Sequence, residues 1–204
     1  MRGKIQLILL FFLFSNHSHG NEGLITISEI ENYLNSIETI QSQFIQINDA
    51  GVVETGQFLL KKPGKMRFEY NLPSQHLVMT SGLLLVIIDK KSLGEPQRYP
   101  ASKIPLFQLA KNNLSFEKSK SIKALFSNNN NTHLILFNFE KPNNGELELV
   151  FSNKPLKLKE WVLTNYMGER TRVLMENLQI NIELDEHNFD IGSEITKTRN
   201  SNKK

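Results

Sequence analysis

Through most of the stretch from residue 39 to residue 182, apolar side chains recur at every second position, and short turn sequences cut the runs. A period of two sends alternate residues to opposite faces of an extended strand, so one face is buried while the other meets water. Residues 65–70 show it best. Met66, Phe68 and Tyr70 share one face, and Lys65, Arg67 and Glu69 share the other. Further strands are predicted at 39–48, 54–62, 76–80, 83–89, 132–139, 146–152, 156–165 and 170–182, with strands favoured inside 114–127. The turns between them are Asp49-Ala50-Gly51, Pro63-Gly64, Ser81-Gly82, a polar loop at 128–131, Pro142 to Gly145, and Met167-Gly168. Connections this short join antiparallel neighbours. The sequence therefore predicts one large antiparallel sheet, strongly curled, with helices on one face.

Two segments read as helices. Thr26 and Glu29 have capping-box spacing, and Ile27, Ile30, Tyr33, Leu34 and Ile37 follow on one helical face, which predicts a helix over 27–38. Ser102 is placed to cap a second, short helix over 103–111 that carries Ile104, Leu106, Phe107, Leu109 and Ala110. Between strand and second helix, residues 90–102 read as irregular, with Pro96 and Pro100. From Ser193 to Lys204 the chain is polar without an apolar period and reads as a disordered tail.

The first twenty residues have the order of a secretory signal. Arg2 and Lys4 precede an apolar run from Ile5 to Phe14, and Ser18 and Gly20 stand at small-residue positions near a cleavage point. The apolar run is too short for the ~20 residues a spanning helix needs. The expected organisation is a cleaved leader over 1–20, one globular domain over 21–192 and a basic tail over 193–204. The expected outcome is cleavage near Gly20 and export to the periplasm. The chain has no cysteine, which excludes disulfides, a thiolate metal site, a cysteine nucleophile and a lipid-modified N-terminal cysteine.

Charge points the same way. The formal net charge of +3 includes Arg2 and Lys4 of the leader and a tail carrying Lys197, Arg199, Lys203 and Lys204 against Glu194. Residues 21–192 are left at −2. The basic character belongs to the two ends and gives no support for a nucleic-acid surface.

Catalytic signals are missing. His76, His133 and His187 lie far apart, without partners at metal or catalytic spacing. Asp185-Glu186 and the Glu146/Glu148 pair can do acid–base work in principle, but read equally as solvated positions. Lys154, Lys157 and Lys159 suit an anionic partner or a charged edge that resists aggregation. No catalytic residue, metal site or cofactor is expected. What remains is a surplus of apolar side chains. Phe44, Phe58, Phe68, Tyr70 and Trp161 on a curled sheet either fill a core or line a hollow for acyl chains, at ~0.8 kcal/mol per buried methylene.

Several stretches together resemble the LolA-like family of periplasmic outer-membrane lipoprotein carriers. They are Phe44-Ile45-Gln46, the block from Gly56 through Lys62-Pro63-Gly64 to Tyr70, then Pro73, Ser81-Gly82, the segment around Ile104 to Phe107, and Phe189-Asp190-Ile191. The resemblance implies a mainly β (α+β) fold: an unclosed half-barrel of about eleven antiparallel strands under a lid of two to three short α-helices. It implies an acyl-chain cavity walled by Phe44, Phe58, Leu60, Met66, Phe68, Tyr70, Val78, Leu85, Leu149 and Leu158. The lid then presents Ile30, Leu34, Ile37, Leu106, Phe107 and Leu109. The family uses a basic residue just before the strand-two proline to hold the lid shut, and Lys62 occupies that position where the family often has arginine. The implied partners are acylated lipoproteins as cargo, an inner-membrane lipoprotein-releasing ABC transporter and an outer-membrane lipoprotein acceptor, with the carrier a monomer. The acceptor of the family is anchored through a cysteine, which this chain lacks. A different periplasmic lipid-binding or lipoprotein-sensing module on the same fold is the alternative, followed by a secreted enzyme or a structural β-protein.

Overall fold

The computed structural model describes residues 24–92, 94–137 and 145–202. The leader with its cleavage point, the turn residues Pro142 to Asn144, positions 138–139 of a predicted strand, and Lys203 and Lys204 lie outside the described residues.

Helix α1 (Ile27–Asn35) starts at the capping box. Thr26 Oγ1 accepts from the Glu29 N–H at 3.2 Å, and the Glu29 carboxylate accepts from the Thr26 N–H at 2.8 Å. It stops three residues short of the predicted 38, because 36–38 are taken by the sheet. Asn181 bonds the Ser36 carbonyl and the Glu38 N–H, and Lys62 N–H bonds the Glu38 carbonyl.

Eleven strands follow: β1 (Thr39–Asn48), β2 (Val53–Lys61), β3 (Lys65–Tyr70), β4 (His76–Ser81), β5 (Leu84–Asp89), β6 (Gln97–Pro100), β7 (Ile122–Asn128), β8 (Asn131–Phe137), β9 (Glu146–Asn153), β10 (Leu156–Thr164) and β11 (Arg170–Ile180). They form one antiparallel sheet in the order β6-β5-β4-β3-β2-β1-β11-β10-β9-β8-β7, with β6 and β7 as its two unjoined edges. The family-derived expectation of an unclosed, mainly β fold is met. Each strand neighbours its sequence successor except β6, whose successor β7 lies at the opposite edge, and the one non-sequential pairing is the seam between β1 and β11.

The sheet curls hard. Phe58 of β2 and Trp161 of β10 are separated by two intervening strands, about 14 Å across a flat sheet. Their ring centroids nevertheless lie 5.5 Å apart, so the face they share is concave. Register shifts at Gln41/Gln43 in β1, at Leu158/Glu160 in β10 and at Ile122/Ala124 in β7 supply the bends that β-bulges produce.

Gly56 is also required for this packing. A Cβ there would lie 2.2 Å from the Glu69 carbonyl oxygen and 2.6 Å from the Phe44 ring, which lies across it. Gly56→Ala is expected to destabilise the fold by about 1–3 kcal/mol, measured as a lower urea midpoint at unchanged slope.

The structure departs from the sequence reading elsewhere too. Residues 90–102 include strand β6. The segment 103–111 is not a capped helix but a pair of 3-10 turns, Ala101–Lys103 and Pro105–Ala110, and Ser102 caps neither. Ala101 is still bonded to the Leu83 carbonyl at the sheet edge, and Pro105 opens the second turn. Within 114–127, helix α2 (Phe116–Ser119) precedes β7, with Ser115 as its N-cap. The predicted 128–131 loop is a two-residue turn at Asn129 and Asn130. Both have positive φ, which asparagine tolerates.

The largest correction concerns the tail. Instead of disorder from Ser193, helix α3 (Ile191–Ser201) lies on the convex face. Asp190 caps it, and Ile191 and Ile195 pack on Leu77, Met79, Val86 and Ile88 of β4 and β5. This explains why β5 is apolar on both faces. Arg67 and Glu194, each 7% exposed, pair beneath the helix at 3.5 Å, and Arg199 bonds Glu95 near its far end. A second convex cluster joins Leu59, Leu184 and Phe189 beside a 3-10 turn at Glu186–Phe189.

Candidate functional site

The concave face carries a ladder of aromatic rings. Phe44 meets Tyr70 at 5.1 Å and Phe68 at 5.8 Å, edge to face. Phe58 stacks on Phe68 at 4.5 Å and meets Trp161 at 5.5 Å. Alternation in β1, β2 and β3 aims these residues inward, and cross-strand registers such as Phe58 opposite Phe68 bring them level.

All sixteen wall and lid positions named from the sequence fall in one apolar cluster. On the wall, Phe44, Phe58, Leu60, Met66, Leu85, Leu149 and Leu158 are buried, and Phe68, Tyr70 and Val78 are partly buried against them. From the lid, Ile30 and Leu34 of α1, the following Ile37, and Leu106, Phe107 and Leu109 of the 3-10 turn are buried among them. The side chains of α1 and the 3-10 turn therefore fill the concave face themselves. Of the two sequence alternatives, core or hollow, this state is the packed one.

Helix α1 and the 3-10 turn are both held from one turn of the sheet. Lys62 Nζ donates to the Leu34 carbonyl in the last turn of α1 at 2.7 Å. That turn has no cation of its own, so Lys62 supplies positive charge to the negative end of the helix dipole. Burial pushes the Lys62 ammonium below the usual lysine range, and the charge of Glu38 opposes that shift. Two residues on, the Gly64 N–H donates to the Ala110 carbonyl at 2.7 Å, holding the end of the 3-10 turn. Thr80 Oγ1 holds the other side of Gly64 by donating to its carbonyl at 3.0 Å.

Helix α1 is also tied to the segment at 114–116 and to β10, in part through residues that sequence reasoning missed. Asn35 mimics a strand partner for Leu114, donating to its carbonyl at 2.9 Å and accepting from its N–H at 2.7 Å. Glu31 accepts from the Phe116 N–H at 2.5 Å, at the start of α2. Tyr33 accepts from the Leu158 N–H of β10 at 3.1 Å. No sequence signal marked Asn35 or Glu31, which look like ordinary polar residues of an amphipathic helix.

The remaining candidates have structural partners. His133 bonds Glu148 at 2.8 Å and stacks on Phe126. Glu146 pairs with Lys123. His76 meets the Tyr70 ring edge to face. Asp185 accepts from the His187 N–H at 2.9 Å. Bonds from Lys61 and Lys65 hold the exposed Glu186 carboxyl down at about 2. Lys159 bonds Asn131. Among the described residues, no group of three or more His, Cys, Asp or Glu is placed to hold a metal ion.

Comparison with known proteins fits this geometry. A family model described as outer membrane lipoprotein carrier protein LolA matches residues 35–192. Among solved structures, the chain is similar to a LolA superfamily protein from Nitrosomonas europaea at 11% identity, covering 83% of this chain and 99% of that one, with a TM-score of 0.48. It is also similar to a putative outer membrane lipoprotein-sorting protein domain from Vibrio parahaemolyticus at 9% identity, covering 81% and 95%, with a TM-score of 0.48. No curated protein matches.

Proposed function

Because the chain belongs to the outer membrane lipoprotein carrier protein LolA family, we propose that it is a periplasmic carrier of acylated lipoproteins. It binds the acyl chains of lipoproteins released from the inner membrane and hands them to an outer-membrane acceptor. Cargo is received from a lipoprotein-releasing ABC transporter, the carrier works as a monomer, and it acts by binding, without catalysis. Residues 1–20 are an export leader and the carrier domain begins at Asn21. No helix among the described residues is long and apolar enough to cross a membrane.

One observation carries the reading. Lid side chains occupy the concave aromatic face of an unclosed sheet, and the lid is held there by a few hydrogen bonds at Lys62 and Gly64. Acyl chains entering that face displace apolar side chains of the same kind, so capture and release lie close in free energy. A carrier needs that balance, since a cavity that bound too strongly would never hand its cargo on. In this scheme the named wall and lid residues form the acyl-chain site and Lys62 is its latch.

The test is a native mass spectrum of the protein purified from periplasm. Acylated cargo is expected to travel with it as discrete mass additions. Protein that remains free of lipid, even after incubation with membranes that release lipoproteins, would favour a purely structural β-protein.

A further inference from the structure

The concave face changes character at one end, and this inference builds on the carrier reading. One step beyond the aromatic rungs, the inward positions of β1, β2 and β3 are Gln46, Glu54 and Tyr70, with Gln46 opposite Glu54 in register. A chain of donors runs along them toward the carboxylate. Tyr70 donates to Gln46 Oε1 at 2.9 Å, and Gln46 Nε2 donates to Glu54 Oε2 at 3.1 Å. Ser74, from the β3–β4 loop, donates to the other Glu54 oxygen.

Every one of these donors is neutral. Among the described ion pairs, none gives Glu54 a cationic partner. Lys90 is engaged by Glu69, and Lys91 donates to the Pro73 carbonyl. A carboxylate offers about four acceptor positions, and two are filled here. Burial, and after it the charge of Glu54, pushes the Tyr70 hydroxyl up to about 12, so it remains a proton donor. Glu54 is thus a half-buried carboxylate with acceptor capacity left and no counter-charge. Its neighbour Tyr70 touches the aromatic wall at Phe44.

We propose that Glu54, oriented by Gln46 and Ser74, receives the primary ammonium of a bound lipopeptide, so that the protein prefers a diacylated N-terminus with a free amine to one acylated on nitrogen. With the ammonium at Glu54, the acyl chains leave directly along Phe44 and Phe68. An N-acyl amide carries no charge and adds bulk at the same place.

The probes are two synthetic lipopeptides with the same S-diacylglyceryl cysteine, one with a free amine and one N-acetylated, titrated against the full mature chain while the emission of Trp161 is followed. The wild type is expected to bind the free amine roughly tenfold more tightly, in line with one charge-assisted hydrogen bond. Glu54→Gln should bind the two alike, at the affinity of the wild type for the acetylated probe, and Glu54→Asp should keep the preference. Equal binding of both probes by the wild type, or a preference surviving in Glu54→Gln, overturns the inference and leaves the carrier reading standing. Binding of neither probe overturns both. Ready displacement of the free-amine probe by phosphatidylethanolamine vesicles would overturn a lipopeptide as the ligand.

Discussion

Lys62→Leu is expected to leave cargo capture intact and to slow delivery about tenfold. The ammonium bonds the Leu34 carbonyl only when α1 is seated over the concave face. A hydrogen bond from a charged donor contributes about 1.5–3 kcal/mol, and partial exposure of Lys62 argues for the lower end. Leucine removes this contribution from the closed, empty state alone. In the proposed loaded state, with α1 displaced, there is no such bond to lose. The balance therefore shifts toward cargo by about 1.4 kcal/mol or more, which is tenfold in retention. The measurement is the rate at which loaded protein passes a lipoprotein to acceptor-bearing liposomes, beside a binding titration. Lys62→Arg should restore transfer, since a guanidinium reaches the same carbonyl with more donors. Normal transfer rates in Lys62→Leu would remove the latch role.

The second large effect is on stability. A chain ending at Asp190 lacks α3, and its convex face opens over Leu77, Met79, Val86 and Ile88. Fully burying an isoleucine contributes about 1.5–3 kcal/mol, and Ile191 and Ile195 are partly buried, so roughly 2–4 kcal/mol is lost in all. Arg67 also loses Glu194, although removal of the helix lets water reach its guanidinium. For a domain of this size, 1 kcal/mol moves the melting temperature by about 2–4 °C, which places the expected fall near 10 °C. Calorimetry of the truncated and full mature chains measures it. A fall of only a degree or two would mean that α3 is a superficial attachment.

The strand pattern was legible because hairpins write themselves locally. Alternation names the inward face, and turn residues name the boundaries, so Met66, Phe68 and Tyr70 could be placed before any pairing was known. Lys62 was singled out only through a family resemblance. The failures have a common physical cause. Asn35 and Glu31 act on backbone groups 79 and 85 residues away, and such contacts leave no mark on local sequence. The 3-10 turns stand where a sheet-edge bond and Pro105 override a helical apolar pattern. Helix α3 was missed because the boundary drawn at Ser193 separated Ile191 from Ile195, the i, i+4 pair that docks it. The apolar residues on both faces of β5 were the available clue that something covers the outside.

The seam between β1 and β11 joins the earliest strand of the chain to the last. Until the C-terminal hairpin has been made, β1 has only one neighbour, and the two halves of the concave face belong to separate pieces of sheet. Neither half alone encloses the aromatic rungs, because Phe58 and Phe68 lie on one side of the seam and Trp161 on the other. Closing the seam brings together residues more than 120 positions apart, a slow, non-local step. A chain built this way cannot complete its concave face until its last strand has been synthesised.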